Sequence, residues 1–170
     1  LPGEALSEPL PPHAHLEAMP YLPELSTTLA DGAVAGSGQT AAVGPSWTKS
    51  VFQSLRNQND WDIYVVQAWS ENPLRVTSNV ADDTQPSLNR GNTRIAFVSD
   101  RNDNNEIYTM NINGSSVRRL TYTEEDEYYP VWSPDSNRIA FYTYRNNSID
   151  IYVMNADGNN QARLTYTSLY

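Results

Sequence analysis

From residue 41 onward, short apolar runs alternate with clusters of turn-forming residues, and the alternation is periodic. The runs are rich in Val, Ile, Tyr, Phe, Thr and Trp; Asn, Asp, Gly, Ser and Pro separate them, the pattern of short antiparallel strands joined by turns. The phrase RIAFVSDRNDNNEIYTMNINGSSVRRLT at residues 94–121 returns at residues 138–165 as RIAFYTYRNNSIDIYVMNADGNNQARLT. Ile95 and Ile139, Ile107 and Ile151, Gly114 and Gly158, and Leu120 and Leu164 are each 44 residues apart. A further step of 44 back from Glu106, Ile107, Tyr108, Arg119 and Thr121 lands on Asp62, Ile63, Tyr64, Arg75 and Thr77, so the period runs through three units. A fixed period of this size marks a repeat architecture.

Each unit holds four predicted strands, which in the last unit are residues 129–133, 138–143, 150–155 and 162–165. Between them, Pro134, Asp135, Ser136 and Asn137 favour a turn, and residues 155–158 end on Gly158, which takes positive φ without strain. Residues 111–114 repeat that second turn. Strand interiors such as residues 95–98 and 139–142 are apolar on both faces, so each small sheet is expected to pack between two others. Four-stranded sheets of ~40–45 residues stacked around an axis make a β-propeller. The fold class is therefore all-β.

The wording of the repeat narrows this. YPVWSPD at residues 129–135, RIAF at 138–141, DIYVMNADG at 150–158 and RLT at 163–165 resemble the blade motif of TolB-like, WD-repeat-like β-propellers. The resemblance covers about residues 41–170 and is strongest in the last two units. The first unit departs from it: residues 44–47 read GPSW, Val51 and Phe52 are what remains of IAF, and Ser70 replaces the turn glycine. Its Phe52 and Ser54 match Phe97 and Ser99 at an offset of 45. The middle unit reads PSLNRG at residues 86–91, without the Trp or the Pro-Asp pair. Three four-stranded blades are expected, at about residues 41–85, 86–129 and 130–170. Proteins similar to this one close their rings with about six blades. An arc of three exposes an apolar sheet face at each end, so a second copy is expected to complete the ring as a homodimer, each blade 1 on the other chain's blade 3. The competing explanation is half of a longer chain. The resemblance also implies protein or peptide partners at the channel and a location outside the cytoplasm, periplasmic or secreted.

Residues 1–40 stand outside the repeat. They are rich in Pro, Ala and Gly and read as a linker or extended arm, with a short helix between Pro23 and Asp31. His13 and His15 lie in that arm and read as solvated polar residues rather than a metal-binding pair. The chain begins at Leu1 without a charged-then-apolar leader, which reads as a processed or excised piece. No apolar run approaches the ~20 residues of a spanning helix. The sequons at Asn113 and Asn146 are of the kind that arise by chance in an Asn-rich chain.

The chain carries 20 acidic against 11 basic residues, a formal charge of −9, which disfavours nucleic acid as a partner. It has no cysteine, which excludes disulfides and thiolate chemistry. In a propeller the loops at residues 57–62, 78–84, 100–106, 122–129 and 144–150 emerge on one rim. They gather the candidate partner-binding residues Asp82, Asp83, Asp100, Asp103, Glu124, Glu125, Asp126, Glu127, Tyr128 and Tyr129, together with Asp60. Three readings compete. The acids serve as turn formers and soluble surface; residues 100–106 offer Ca²⁺ hard oxygens, though without an EF-hand's spacing or glycine; or the rim is a negative funnel for a basic or extended partner. No residue is assigned as a metal ligand and no cofactor is expected.

The arginines Arg75, Arg119 and Arg163 recur once per unit and read as structural, paired within each unit; Tyr64, Tyr108 and Tyr152 read as packing. Trp132 reads as a space-filler between blades. No histidine lies in the repeat, so neither a Ser-His-Asp triad nor a zinc-histidine site can be assembled there, and no glycine-rich phosphate loop follows a strand. The expected function is a non-catalytic binding or scaffold module. The alternative is an accessory propeller of a larger peptidase- or hydrolase-like enzyme.

Overall fold

The computed structural model describes residues 41–43, 49–56, 60–68, 70–145 and 148–166. The arm, with its short helix and His13 and His15, lies outside the described residues, as do residues 44–47 and Asn146. Among the described residues twelve strands form three antiparallel sheets of four, each a meander in chain order. Blade 1 is β1 (Ala41–Val43), β2 (Lys49–Ser54), β3 (Asp62–Gln67) and β4 (Leu74–Arg75). Blade 2 is β5 (Asp83–Leu88), β6 (Arg94–Ser99), β7 (Glu106–Asn111) and β8 (Arg118–Arg119). Blade 3 is β9 (Glu127–Trp132), β10 (Arg138–Arg145), β11 (Ser148–Asn155) and β12 (Ala162–Arg163). No helix occurs among the described residues, as the strand pattern requires.

The middle blade shows why its strands are apolar on both faces. Side chains alternate across a strand, so Ile95, Phe97, Tyr108 and Met110 turn toward blade 1 and pack with Val51, Ile63 and Val65. From the opposite face Ala96, Val98 and Ile107, with Leu120, meet Trp132, Ile139, Phe141 and Met154 of blade 3. The core is thus two apolar layers, each held between neighbouring blades. Burying a side chain of this size contributes roughly 1.5–3 kcal/mol. Trp132 fills space in the second layer as expected, and its Nε1 donates to the Ser87 carbonyl at 3.2 Å.

Main-chain bonds fasten the seams between blades. The Asp83 N–H donates to the Trp61 carbonyl at 2.7 Å, and 44 residues on, the Glu127 N–H donates to Asn105 at 2.8 Å. In return the Trp61 and Asn105 amides donate to Oδ1 of Asp82 and Asp126, at 2.9 and 2.7 Å. β5 and β9 therefore begin at Asp83 and Glu127, ahead of the blade divisions drawn from sequence after residues 85 and 129. Their opening residues are acidic or polar, because the seam uses them for hydrogen bonding rather than apolar burial. Each strand then bulges at Gln85 or Tyr129, with φ of 50° and 51°, and the register slips there.

The hairpin between the third and fourth strands also touches the preceding blade. Gly114 and Gly158 close these turns at φ of 83° and 88°. A Cβ on Gly114 would lie 2.4 Å from the Val76 carbonyl oxygen, and one on Gly158 2.9 Å from that of Leu120. Both turns therefore need glycine for conformation and for space.

The two ends of the arc differ. On the outer face of blade 3, Ile151 and Leu164 are 46% and 56% exposed, whereas their counterparts in blade 2, Ile107 and Leu120, are 0% and 3% exposed. Val131 and Ile149 extend that open apolar face. At blade 1 the expectation of a second exposed face is not met: Phe52 and Tyr64 are 9% and 2% exposed. Their rings stack at 5.6 Å, and the Arg56 guanidinium lies 5.2 and 5.0 Å from the two centroids.

Replacing Gly158 by Ala forces a strained φ and a clash with main chain, so Gly158→Ala is expected to lose more than about 1 kcal/mol in urea unfolding. Gly91→Ala meets nothing nearer than 3.5 Å and has ordinary φ, so it is expected to stay within about 0.5 kcal/mol of the parent.

Candidate functional site

The candidate acids and their partners fall into two sets, buried pairs inside the blades and a solvated rim above them. Every third strand carries a buried carboxylate at or near its start, Asp62, Glu106 or Asp150, and the arginine of the short fourth strand reaches it. Arg75 meets Asp62 at 2.5 Å and Arg163 meets Asp150 at 2.6 Å; Arg119 pairs with Glu106 in the same way. A threonine completes each unit, as Thr77, Thr121 and Thr165 accept the amides of Ile63, Ile107 and Ile151 at 2.8–2.9 Å. The repeated arginines are structural, as their recurrence indicated. So are the tyrosines: Phe52–Tyr64, Phe97–Tyr108 and Phe141–Tyr152 are stacked or tilted ring pairs at 5.6–5.9 Å.

Four of the candidate rim acids reach inward or bridge blades. Asp83 is fully buried, its Oδ1 on Arg101 at 2.7 Å and its Oδ2 accepting from Asn79 at 2.6 Å. Glu127 is equally buried and pairs with Arg145 at 2.7 Å. Asp82 is half-buried at the first seam. Asp126 is its counterpart at the second, and its Oδ2 also accepts from the Tyr128 hydroxyl at 3.1 Å. The solvent-facing remainder is Asp100, Asp103, Glu124 and Glu125, with Tyr129 at their edge. Asp100 still supports the fold, its Oδ1 accepting the Asp82 amide at 2.9 Å. Asn104 pins the acidic run by donating to the Thr123 and Glu125 carbonyls at 3.1 and 2.7 Å. Among the described residues no group of three or more acidic or histidine side chains is placed to hold a metal ion. Within residues 100–106, Asn102 accepts from the Tyr108 hydroxyl at 2.5 Å and Glu106 turns inward to Arg119.

The three meandering sheets and their repeated pairs have clear relatives. The profile of the TolB beta propeller domain matches residues 18–169. The chain belongs to that family. No curated protein matches the sequence. Among solved structures it is similar to a protein assigned as TolB from Agrobacterium tumefaciens, with TM-score 0.66 and 22% identity over 72% of this chain and 47% of that one. TolB from Acinetobacter baumannii matches with TM-score 0.63 and 22% identity over 75% of this chain and 32% of that one. The tricorn protease matches with TM-score 0.55 and 18% identity, over 72% of this chain and 12% of that one. This TolB-family chain thus spans less than half the length of each of these structures.

Within the TolB-type blade a second arginine series was missed in the sequence. Arg101 and Arg145 follow β6 and end β10, 44 residues apart, and reach back to Asp83 and Glu127 on the first strands. Arg101 also lies over Tyr108 at 4.7 Å and Arg145 over Tyr152 at 4.8 Å. Arg56 takes the same place over Tyr64 in blade 1, at an offset of 45 from Arg101. The constant spacing was the available signal, hidden by the one-residue change in the first unit. Tyr142 forms a further aromatic cluster on blade 3, its ring 5.4 and 5.3 Å from those of Tyr128 and Tyr129. Burial and the nearby Asp126 carboxylate hold the Tyr128 phenol well above its usual range.

Removing Arg119 strands the buried Glu106 charge. Arg119→Ala is expected to cost roughly 3–5 kcal/mol in denaturant unfolding. The exposed neighbour change Arg118→Ala is expected to fall within about 0.5 kcal/mol.

Proposed function

We propose that the chain is a non-catalytic binding and scaffold propeller module that engages protein or peptide partners, working outside the cytoplasm, and that its third blade receives a blade of a second copy to close a six-bladed ring. The observation that carries the reading is the outer face of blade 3. Ala140, Tyr142, Ile151 and Leu164 stand 44 residues after Ala96, Val98, Ile107 and Leu120, the residues with which blade 2 packs on blade 3. A face built from the same positions is suited to the same kind of neighbour. The closing seam differs at its outer edge: Ser70 stands where Gly114 and Gly158 press on the preceding blade, and a side chain there holds the blades farther apart. A looser seam favours an assembly that dissociates on dilution. The extracytoplasmic location and the protein partners are carried over from the TolB kinship.

Sedimentation across a range of concentrations tests the assembly. The parent chain is expected to sediment as a dimer that dissociates on dilution, and Ile151→Asp as a folded monomer with unchanged circular dichroism. A parent that is monomeric at every concentration overturns the ring.

The exposed acids Asp100, Asp103, Glu124 and Glu125 give that ring a negative rim, which suits a basic or extended peptide. Titration calorimetry with a polycationic peptide is expected to give binding heat that falls in the Glu124→Gln, Glu125→Gln double variant. Heat from Ca²⁺ alone would favour the cation reading, and no heat from either leaves the rim as solubilising surface. A second reading, an accessory propeller that gates a catalytic domain, draws on the similarity to the tricorn protease.

A further inference from the structure

The two seams of the arc place acidic pairs at matching positions, and they satisfy them differently. At the first seam, Asp62 of β3 accepts from the Thr77 hydroxyl at 3.2 Å through Oδ1, while its Oδ2 has the Arg75 ion pair without a hydrogen bond; both oxygens of Asp83 of β5 are hydrogen-bonded, by Arg101 and Asn79. At the second seam the counterparts, Glu106 of β7 and Glu127 of β9, are each longer by one methylene. Glu106 Oε1 is taken by Arg119 from β8. Glu127 Oε1 is taken by Arg145 from β10, by the Thr123 hydroxyl at 2.5 Å and by the Thr143 hydroxyl at 3.4 Å. Thr123 stands where the first seam has Asn79, and it has no second donor to give. The Oε2 atoms of both glutamates are buried without a protein donor, and the Glu127 amide bonds at 2.8 Å to the carbonyl of Asn105, the residue before Glu106, which brings the two side chains to the same seam.

Two acceptors cannot bond to each other, and two bare carboxylates in a buried seam repel. One proton between them satisfies both. We propose that Glu106 and Glu127 share a proton across the seam between blades 2 and 3, making this joint a pH-sensitive latch that is tight when the proton is held and weakened when it is lost. The charged groups facing the pair are Arg119 and Arg145, each already committed to the opposite oxygen of its own glutamate, and Asp126 lies beside Glu127 in the chain. The first seam lacks the latch because Asn79 supplies the donor that a proton must supply at the second. The inference stands whether or not anything docks on blade 3.

Burial and the neighbouring Glu106 push the Glu127 carboxyl up to about 7 from its ordinary value near 4.5. A carboxyl raised in the folded state stabilises it fully below the unfolded value, and that stability is lost as pH rises through about 7. Asp62 is also raised, by burial, so the informative quantity is the difference between variants rather than the parent's slope. Glu127→Gln supplies a permanent N–H donor toward Glu106 Oε2 and an oxygen for Arg145.

The test is denaturant unfolding of the whole chain between about pH 5 and pH 8. The parent's folded-to-unfolded ratio is expected to fall about tenfold or more relative to Glu127→Gln over that span, since each pKa unit of displacement is a factor of ten. Glu106→Gln is expected to reproduce the flattening. Parent and variant curves that run parallel overturn the proposal. Should neither variant fold, carbon-13 NMR of glutamate-labelled parent decides: one carboxyl carbon titrating near neutrality supports the latch, and none doing so overturns it.

Discussion

A carboxylate buried at or near the start of every third strand sets the terms for the rest of each blade. Asp62, Glu106 and Asp150 lie inside the protein, where an unpaired charge costs several kcal/mol, so each blade must deliver a cation to a fixed point. The cation comes from the fourth strand, which is only two residues long in each blade and makes too few ladder bonds to hold itself. The arginine places it. Arg75, Arg119 and Arg163 sit opposite Tyr64, Tyr108 and Tyr152 in register. In the last two blades the guanidinium Nε also donates to the threonine carbonyl two residues on, at 2.7 and 2.8 Å. That threonine's hydroxyl in turn accepts the amide of the residue after the carboxylate, so strand, arginine and threonine form one unit.

The second arginine series does for the first strand what the other does for the fourth. Arg101 and Arg145 hold Asp83 and Glu127, the residues at which β5 and β9 cross into the seam with the preceding blade. Each of these sheets is therefore clamped by an ion pair at both edges, while its two middle strands carry the apolar layers. This explains how a chain of formal charge −9 with 11 cationic residues can be built around buried acids: in blades 2 and 3 its repeated arginines are spent internally, and the excess of acid is left to the loops. The surface field follows from the interior requirement.

The period of 44 made the blade count, the strand order and the structural character of Arg119 and Tyr108 legible before any coordinates, because each is dictated by a local pattern that recurs. The candidate site was legible only in part. Sequence placed Asp83, Glu127, Asp100 and Glu124 together as rim acids, and no local pattern separates them, yet two are buried in seams and two are exposed. What distinguishes them is the neighbouring blade, whose Trp61 or Asn105 carbonyl captures the amides of Asp83 and Glu127. The same long-range cause moved the starts of β5 and β9 ahead of their apolar residues. Arg101 escaped notice because its pairing with Asp83 spans the hairpin of β5 and β6, whose bulge at Gln85 no turn signal announces.

The end blades differ in a way that gives the stack a direction. Gly114 and Gly158 are needed because their turns nest against main chain of the blade before; the matching position in blade 1 is Ser70. Blade 3 keeps on its outer face the apolar types that blade 2 uses to receive a neighbour, whereas the ring pair of blade 1 is already covered. Blade 3 is therefore fitted to accept another blade, while blade 1 is not fitted to nest as tightly against one. In the proposed ring the contact at blade 1 would lack the close approach of the two internal seams. It is there, where a side chain replaces a glycine, that the ring should part first.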